Sequence, residues 1–282
     1  MIMQKNNSSL LDIVEEYVAS ETLNLPVFPT VAQELHKKMA DENSSINEIA
    51  AIIAKDQALA GQMLKLANSA FFAGLNRVRT IRESIMRLGV NQVYNCLIAC
   101  SQKDYYLSHD PVIGQYLQVL WKHALATAKG SQWLLRKTGY PELADEGFLA
   151  GLFHDIGKLL LLRVFETIRS EDKDIALSEP FILEILDSMH VAQGYTLMNE
   201  WSIPQIYCDV AKHHHDEEFD SSDSLLMAVR LVDQVCAKTG LSLRPDPTLV
   251  MANTPEAHAM SVKEIVLAEL EIVIEDALDA EL

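Results

Sequence analysis

The 282-residue chain, with a mass of 31.5 kDa, is longer than a typical domain of about 100 to 150 residues, so we expect one large domain or two closely packed ones. Hydrophobic residues make up 49% of the chain and charged residues 22%, with only 11 glycines and 9 prolines, which excludes disordered and collagen-like proteins. The 40 acidic and 23 basic residues give a net charge of −17, and this excess disfavours broad nucleic-acid binding.

Four cysteines lie inside apolar stretches and form no C-x-x-C pair, so we expect reduced, buried thiols in a cytoplasmic protein. They are Cys96, Cys100, Cys208 and Cys236. The first residues lack the apolar region of a signal peptide, and no run of 18 apolar residues occurs, so we expect no membrane partner.

Helical signals dominate the first third of the chain. The segments from Ser45 to Glu48 and from Thr80 to Glu83 both fit the capping box that starts a helix. Pro26 and Pro29 mark a break before this block. We therefore expect an N-terminal helical part over residues 25–105.

The rest of the chain continues the helical pattern. Asp110-Pro111 opens a predicted long helix that Thr138-Gly139-Tyr140-Pro141 ends. A second helix, from about Glu142 to Arg163, holds the apolar segment FLAGLFHDIGKLLLL. Further helices are predicted at about Pro180 to Glu200, Gln205 to His215, Leu225 to Lys238, and from a third capping box at Ser261 to Glu264. Because alternating strand patterns are scarce, the sequence predicts an all-α fold.

Asp233 and His190 project from the apolar faces of their predicted helices. A buried lone carboxylate is costly unless a cation or hydrogen bonds compensate it, so Asp233 needs a partner. A single buried histidine is more often a hydrogen-bonded core residue, and that interpretation stays open for His190.

The segment FLAGLFHDIGKLLLL places His154, Asp155 and Lys158 in apolar surroundings. Lys158 follows His154 by four residues and Asp155 by three, so the three side chains can share one side of a helical turn. Imidazole and carboxylate are usual ligands of divalent cations, and a lysine beside them suits a phosphate or a ligating carboxylate. The segment therefore indicates a metal or phosphate site.

His213, His214 and His215 end a predicted helix. One interpretation is electrostatic, because imidazolium interacts favourably with the C-terminal end of the helix dipole. Another follows from a series of ligand-type residues on five successive helices, which a helical bundle could bring together in its core. The series is His123, His154, Asp155, His190, His213, His214 and Asp233.

Three segments upstream of the histidines carry a family resemblance. LPVFPTVAQEL, DQALAGQMLKLANSAFFAG and TIRESIMRLGVNQVYNCLIA, followed by HDIGK, resemble the HDOD domain, an HD-superfamily branch found in bacterial signalling proteins. The resemblance implies an all-α, multi-helix HD-like bundle with an N-terminal helical subdomain. The expected parts are a lead helix in 1–24, an HDOD domain in 25–220 (25–105 and 106–220), and closing helices in 221–282.

The HD pattern also implies roles for the ligand-type residues. Carried over by position, it makes the seven residues of the series ligands of one or two divalent ions, with Fe, Mn, Mg and Zn all compatible. Asp155 and Lys158 are then the catalytic candidates, Lys158 as a cation facing a phosphate. His215 has no counterpart, and which two of the three adjacent histidines are ligands stays open.

The chain departs from the HD-GYP phosphodiesterases, which cleave cyclic dinucleotides. Those enzymes carry a Gly-Tyr-Pro segment after the histidines, where this chain has HDEEFDSSDS. Some also have a ligating Glu one turn before the first histidine, and this chain has Val119 there. We therefore expect no hydrolysis of cyclic dinucleotides and at most a two-metal site.

Two functions follow from the resemblance and the residues. The first is a bacterial signal-transduction protein that acts by binding a protein partner or a small phosphate-containing ligand, with the cluster as a metal site or a structural remnant. The second is a metal-dependent phosphohydrolase of a nucleotide or another phosphoester. No G-x-S-x-G, P-loop or Rossmann motif points to other chemistry.

Overall fold

The computed structural model describes residues 9–20, 30–39, 41, 44–69, 72, 76–172 and 175–279. These residues form helices joined by loops and short 3₁₀ turns and contain no strand, so the all-α prediction is confirmed. The helices are α1 Leu10–Val18, α2 Thr30–Met39, α3 Ile46–Ile53, α4 Gln57–Ala67, α5 Ile81–Leu88, α6 Val90–Gln102, α7 Pro111–Lys137, α8 Ala144–Phe153, α9 Ile156–Glu171, α10 Glu179–Glu200, α11 Gln205–His213, α12 Ser224–Lys238, α13 Pro255–Ala259 and α14 Glu264–Asp279.

The helices α3 and α5 begin where the sequence predicts. The hydroxyl groups of Ser45 and Thr80 accept hydrogen bonds from the N–H groups of Glu48 and Glu83, and each Glu carboxylate accepts a bond from the cap residue's N–H. Both capping boxes are therefore present. The two prolines of the predicted break, and parts of the first two segments that carry the resemblance, lie outside the described residues.

The longest helix, α7, forms the centre of the C-terminal bundle, and α8, α12 and α14 pack on it. Its cap residue Asp110 accepts hydrogen bonds from the N–H groups of Val112 at 2.8 Å and Ile113 at 3.0 Å. It ends before Gly139, whose φ of +95° favours glycine. The predicted bounds of this helix are confirmed.

Two glycines let helices of the bundle approach one another closely. A Cβ atom at Gly157 would lie 2.0 Å from the main-chain oxygen of His190, and a Cβ atom at Gly151 would lie 2.6 Å from that of Thr127. No side chain fits at these distances, so α9 meets α10, and α8 meets α7, backbone to backbone. The residues between α8 and α9 are thereby placed next to α7 and α10.

The HDIGK segment is not part of one continuous helix. The sequence predicts a single helix over about 142–163, but α8 ends at Phe153 and α9 begins at Ile156. Asp155 has φ −104° and ψ 15°, outside the helical region. Adjacent residues of an unbroken helix point about 100° apart, so the break allows His154 and Asp155 to face the same point. The continuous apolar run around the break conceals it in the sequence.

The last helix also differs from the prediction at its start. The sequence predicts Ser261 as its cap, but α14 begins at Glu264. Ser261 instead follows the end of α13, with φ +53°, and the N–H of Val262 donates to the oxygen of Ala257 at 2.8 Å. This bond pattern is typical of a helix C-terminus. α14 then packs on α7 and α12 and buries Leu270 completely.

None of the helices in the described residues combines the length and the apolar character that crossing a bilayer requires. The four cysteines are buried and free, as predicted. The expected divisions of the chain after residues 24, 105 and 220 stay predictions.

Candidate metal centre

Histidine and aspartate side chains of the metal-ligand type, together with one lysine, meet inside the C-terminal bundle. They come from four helices and two helix ends. They are His123 on α7, His154 and Asp155 after α8, Lys158 on α9, His190 on α10, His214 and His215 after α11, and Asp233 on α12. The Nε2 atom of His154 lies 4.0 Å from Asp233 Oδ1, although the two residues are far apart in the sequence. We call this group the His/Asp cluster.

Asp155 divides the His/Asp cluster into two halves. Its Oδ2 atom lies 3.3 Å from His123 Nε2 and 3.6 Å from His154 Nε2. Its Oδ1 atom lies 3.4 Å from His190 Nε2 and 3.5 Å from His214 Nε2. One carboxylate therefore faces a different pair of imidazoles with each of its oxygens.

Each half has the composition of a metal-binding group. The first half-cluster consists of His123, His154 and Asp233, whose ligand atoms lie within 4.8 Å of one another. The second half-cluster consists of Asp155, His190, His214 and His215, within the same distance. The two Nε2 atoms lie 3.1 Å apart in the pair His123 and His154, and 3.4 Å apart in the pair His190 and His214. Two bare ring nitrogens at such distances repel each other unless a proton or a metal cation lies between them.

Main-chain oxygens orient four of the imidazoles. The Nδ1 atoms of His123, His154, His190 and His214 lie 2.7 to 2.8 Å from the oxygens of Leu241, Gly151, Leu186 and Ala211. A carbonyl oxygen only accepts, so each Nδ1 carries a proton and donates it. In the imidazoles that are neutral, the Nε2 lone pair is then available toward the interior of the cluster, which is the arrangement found in metal-binding histidines.

Burial keeps most of these imidazoles neutral. It lowers the pKa of His190 to about 4 and the pKa of His214 to about 3, and it also lowers the pKa of His154. A neutral imidazole is the form that binds a metal. At His123, burial acts to lower the pKa, but hydrogen bonds with the two carboxylates outweigh it and raise the pKa well above its usual value.

Both carboxylates of the cluster are ionised. Burial would raise the pKa of Asp155, yet the nearby Lys158 and the histidines hold it well below its usual value. Burial is likewise outweighed at Asp233, whose pKa is lowered chiefly by His123. Lys158 Nζ donates to Asp155 Oδ2 at 2.6 Å, and this contact raises the pKa of Lys158 against the effect of burial. Lys158 and a protonated His123 are the cations that balance the two carboxylates.

The donor set fits divalent metal ions. Oδ1 of Asp155 is buried, and no hydrogen-bond donor within the described part of the chain reaches it. It faces Nε2 atoms of His190 and His214 that carry no proton, and a buried carboxylate oxygen without a donor is costly. A cation held between these atoms removes that cost, and mixed imidazole and carboxylate ligands suit borderline divalent ions.

His213 lies outside the His/Asp cluster, in contrast to its place in the predicted series. Its side chain is 40% exposed, and its Nδ1 atom lies 2.6 Å from Asp216 Oδ2. Because α11 ends at His213, the following two residues turn toward the centre of the bundle. The ring of His215 lies 4.1 Å from the ring of His214, centroid to centroid, and His215 takes part in the second half-cluster. The structure thus brings together His214 and His215 and leaves His213 outside the cluster, paired with Asp216.

Arg230, which the sequence does not single out, holds the main chain that carries two histidines of the second half-cluster. Its Nη1 atom donates to the main-chain oxygens of His213, His214 and Asp216 at 2.8 to 3.2 Å. Its Nε atom donates to Glu256 Oε1 at 2.7 Å, and both side chains are largely buried. Arg230 therefore fixes the end of α11. The one signal in the sequence is a single cation inside the apolar run LLMAVRLV.

The His/Asp cluster reaches the surface at three of its residues. The side chains of Asp233 and Lys158 are 19% and 14% exposed, and His215 is exposed. The other ligand-type side chains of the cluster are at most 4% exposed. Any small ligand of the cluster therefore has to approach past these three residues.

Comparison with known proteins identifies the family. The HDOD domain family matches residues 25–217. An uncharacterized protein of Treponema pallidum is 24% identical over 204 residues, which are 71% of this chain and 39% of that protein. The uncharacterized protein YuxH of Bacillus subtilis is 27% identical over 136 residues, 48% of this chain and 32% of that protein. The chain thus spans well under half the length of these curated relatives.

Solved structures share the fold. An HDOD domain protein of unknown function from Geobacter sulfurreducens superposes with a TM-score of 0.73 at 22% identity and covers 96% of both chains. A provisionally assigned metal-dependent phosphohydrolase from Shewanella amazonensis gives a TM-score of 0.66 at 19% identity, over 95% of this chain and 96% of the other. A provisionally assigned signal transduction protein from Marinobacter aquaeolei gives 0.66 at 19% identity, over 96% of this chain and 64% of the other. With the family match over residues 25–217, the chain belongs to the HDOD domain family.

Proposed function

We propose that this chain is a signal-transduction HDOD protein whose His/Asp cluster binds one or two divalent metal ions. The observation that carries the metal site is the position of Asp155, which directs each carboxylate oxygen at a different pair of Nε2 atoms. The metal-bound bundle would then act by binding a protein partner or a small phosphate-containing ligand.

The first half-cluster would hold one ion, and the second half-cluster would hold another, with Asp155 shared. His215 takes the place in this set that the sequence assigned to His213, because His215 is near the other donors. Four imidazoles with their Nε2 atoms turned inward favour Fe²⁺ or Zn²⁺ over Mg²⁺, which prefers oxygen ligands. The signalling role itself is supported by the HDOD family and by the Marinobacter protein of similar fold.

The adjacent histidines provide a matched test of metal binding. We expect the 282-residue protein, purified without chelator, to contain about one to two divalent ions per chain. Replacing His214 by Ala removes an inward-facing donor and should lower metal affinity by about tenfold or more. Replacing His213 by Ala should leave the metal content unchanged, because His213 pairs with Asp216 and lies outside the His/Asp cluster. Elemental analysis after supplementation with Fe²⁺, Mn²⁺ or Zn²⁺ measures both.

A wild-type protein that takes up none of these ions would reject the metal site. Equal metal loss in the His213→Ala and His214→Ala variants would reject the assignment of the second half-cluster. Circular dichroism of both variants controls for misfolding.

A second candidate function is a metal-dependent phosphohydrolase. It is favoured by Lys158, which contacts the shared carboxylate and is partly exposed at the accessible side of the cluster. When bound there, a pair of divalent ions supplies Lewis acidity toward a phosphoryl group and lowers the pKa of water. Lys158 can bind a phosphate oxygen, and the buried histidines keep the metal-binding atoms oriented. The Shewanella structure of similar fold carries a provisional assignment of this kind.

Turnover separates the two functions. Under the signalling function, phosphate release from a panel of nucleotides and simple phosphoesters should be equal in wild type and in Asp155→Asn, with no cleavage of cyclic dinucleotides even with added Mn²⁺ or Fe²⁺. Asn keeps the shape of Asp155 but loses the charge that both half-clusters share. Turnover that is present in wild type and lost by about a hundredfold or more in Asp155→Asn would establish the phosphohydrolase instead.

A further inference from the structure

A large groove lies between the N-terminal helices and the C-terminal bundle. Its volume is about 1660 Å³, and most of its described lining residues lie on α4 and at positions 68, 69, 72 and 77–79 on one side, and on α6, α7 and α14 on the other. Small-molecule sites usually have volumes of about 300 to 1,000 Å³. The groove therefore has room for a ligand much larger than a phosphate ion.

The groove is positively charged in an otherwise acidic protein. Among its described lining residues are six basic side chains and one acidic side chain, Asp276. The basic residues are Lys65, Arg77, Arg79, Lys103, Lys129 and Arg136. Arg136 also lies 3.4 Å from Asp145, so its charge is partly compensated. Because the whole chain has 40 acidic and 23 basic residues, this local excess of cations marks a site for an anion.

Asn68, Ser69 and Phe72, which come from the ANSAFF segment and take no part in the His/Asp cluster, line one wall of the groove. The amide of Asn68 donates to the main-chain oxygens of Leu64 at 2.8 Å and Val78 at 2.9 Å, and its oxygen accepts from the Val78 N–H at 2.8 Å. Asn68 thereby holds residues 77–79 beside α4. Val78 is buried and its two neighbours, Arg77 and Arg79, are exposed, as expected for alternate residues of an extended segment.

The RLG turn holds the same wall from its other side. Arg87 donates to the main-chain oxygen of Ala67 at 3.0 Å and to that of Asn76. Gly89 follows with φ +81°, a conformation that favours glycine, and it lets α6 begin directly after α5. The wall is therefore formed before any ligand binds, which reduces the ordering cost of binding.

The opposite wall combines charge with an aromatic ring. Lys129, Gln132, Trp133 and Arg136 recur on one face of α7 at helical spacing. The ring of Trp133 is partly exposed and can stack on a planar base. Burial lowers the pKa of Lys129, so an anion beside its ammonium group offsets a desolvation cost. The basic side chains suit phosphate groups and Trp133 suits a planar ring, and a nucleotide has both.

We propose that this groove binds a small anionic ligand of the nucleotide class, with its phosphates on the basic side chains and its base against Trp133. The inference rests on the proposed signalling function and names the ligand class for it. A long nucleic acid is disfavoured by the net charge of −17. An acidic peptide would match the cations but would not provide a planar ring for the partly exposed indole of Trp133, over which Lys137 Nζ lies 5.6 Å from the ring centroid.

The test measures equilibrium binding of ATP and GTP to the full chain, with inorganic phosphate and adenosine as partial ligands. We expect both nucleotides to bind at least about tenfold more tightly than either partial ligand. Replacing Arg77 and Arg79 together by Glu should weaken nucleotide binding by about tenfold or more, because charge-assisted hydrogen bonds are lost. Arg82→Glu is the matched control, since Arg82 is an exposed cation on α5 that is not among the described lining residues. It should bind like wild type.

Equal nucleotide affinity in the Arg77→Glu/Arg79→Glu and Arg82→Glu proteins would overturn the inference. An acidic peptide that binds the groove while nucleotides do not would overturn the ligand class. The Asp155→Asn variant distinguishes the groove from the His/Asp cluster, because nucleotides should still bind the groove when Asp155 is replaced. Nucleotide binding lost in Asp155→Asn but intact in Arg77→Glu/Arg79→Glu would place the nucleotide at the His/Asp cluster instead. Normal metal content without nucleotide binding would reject the groove and leave the proposed metal site standing.

Discussion

In four histidines of the His/Asp cluster, the Nδ1 atom donates to a main-chain oxygen. For three of them the accepting oxygen belongs to a residue three or four positions earlier, namely Gly151, Leu186 and Ala211. Helix geometry alone places a carbonyl there. The tautomer of each imidazole is therefore fixed by local structure, and it does not depend on how distant parts of the fold are packed.

His123 is the exception, because its Nδ1 atom donates to Leu241 in the loop after α12. No local rule predicts that contact. The same distinction explains which ligand-type residues could be predicted. His154, Asp155, His190 and Asp233 stand out in the sequence as polar residues on apolar faces, whereas the choice among three adjacent histidines depends on where α11 ends. A one-residue difference in a helix end moves a side chain by about 100°.

At the residue scale, Arg230 should matter for stability. Replacing Arg230 by Met leaves Glu256, which is 1% exposed, without its ion-pair partner and removes the donor to the end of α11. The loss of one partner of a buried pair should lower the free energy of unfolding by about 3 to 5 kcal/mol. Urea denaturation followed by circular dichroism measures it.

Arg244→Met is the control for this prediction. Arg244 pairs with Asp187 at 2.6 Å, but both side chains are about half exposed, so its loss should cost about 1 kcal/mol or less. Similar destabilisation by the two substitutions would contradict the role given to Arg230. Replacing Arg230 and Glu256 together by apolar residues should recover part of the loss, because no unpaired charge is then buried.

At the scale of helices, the sequence predicts helix ends well where cap residues mark them. It does not predict a break inside a continuous apolar run. The predicted long helix is confirmed because Asp110 and Gly139 mark its ends. The break between α8 and α9 was not predicted, because apolar residues continue through it on both sides. Directly after the break, α10 approaches Gly157 from elsewhere in the chain, and no local sequence pattern predicts that contact.

The helix α14 should contribute to stability through its buried face. Leu270 is completely buried against α7, whereas Ile272, on the same helix, is 58% exposed. Leu270→Ala should therefore lower the free energy of unfolding by about 2 to 5 kcal/mol. Ile272→Ala should change it by no more than about 0.5 kcal/mol, as is usual at the surface. Thermal and urea unfolding of both variants measure the difference, and equal effects would show that α14 is not docked in solution.

At the scale of the whole molecule, net charge alone gives a misleading view of the surface. The overall excess of acidic residues indicates repulsion of anions, yet the groove beside α4 concentrates cations from four parts of the chain. These residues are spread between Lys65 and Arg136, so the sequence does not show that they line the same groove. The fold class could be predicted from helical periodicity, but this distribution of charge follows only from the tertiary packing.

The shared carboxylate of Asp155 has a thermodynamic consequence for the two half-clusters. If each half-cluster held an ion, both ions would depend on the charge of the one carboxylate of Asp155, and the two cations would repel each other across it. The two occupancies would therefore be linked, and the linkage would be reciprocal, because each ion would change the affinity of the other by the same factor. A metal titration of this protein should consequently yield two stepwise constants that describe the pair, with the protein holding a single ion over a range of metal concentrations.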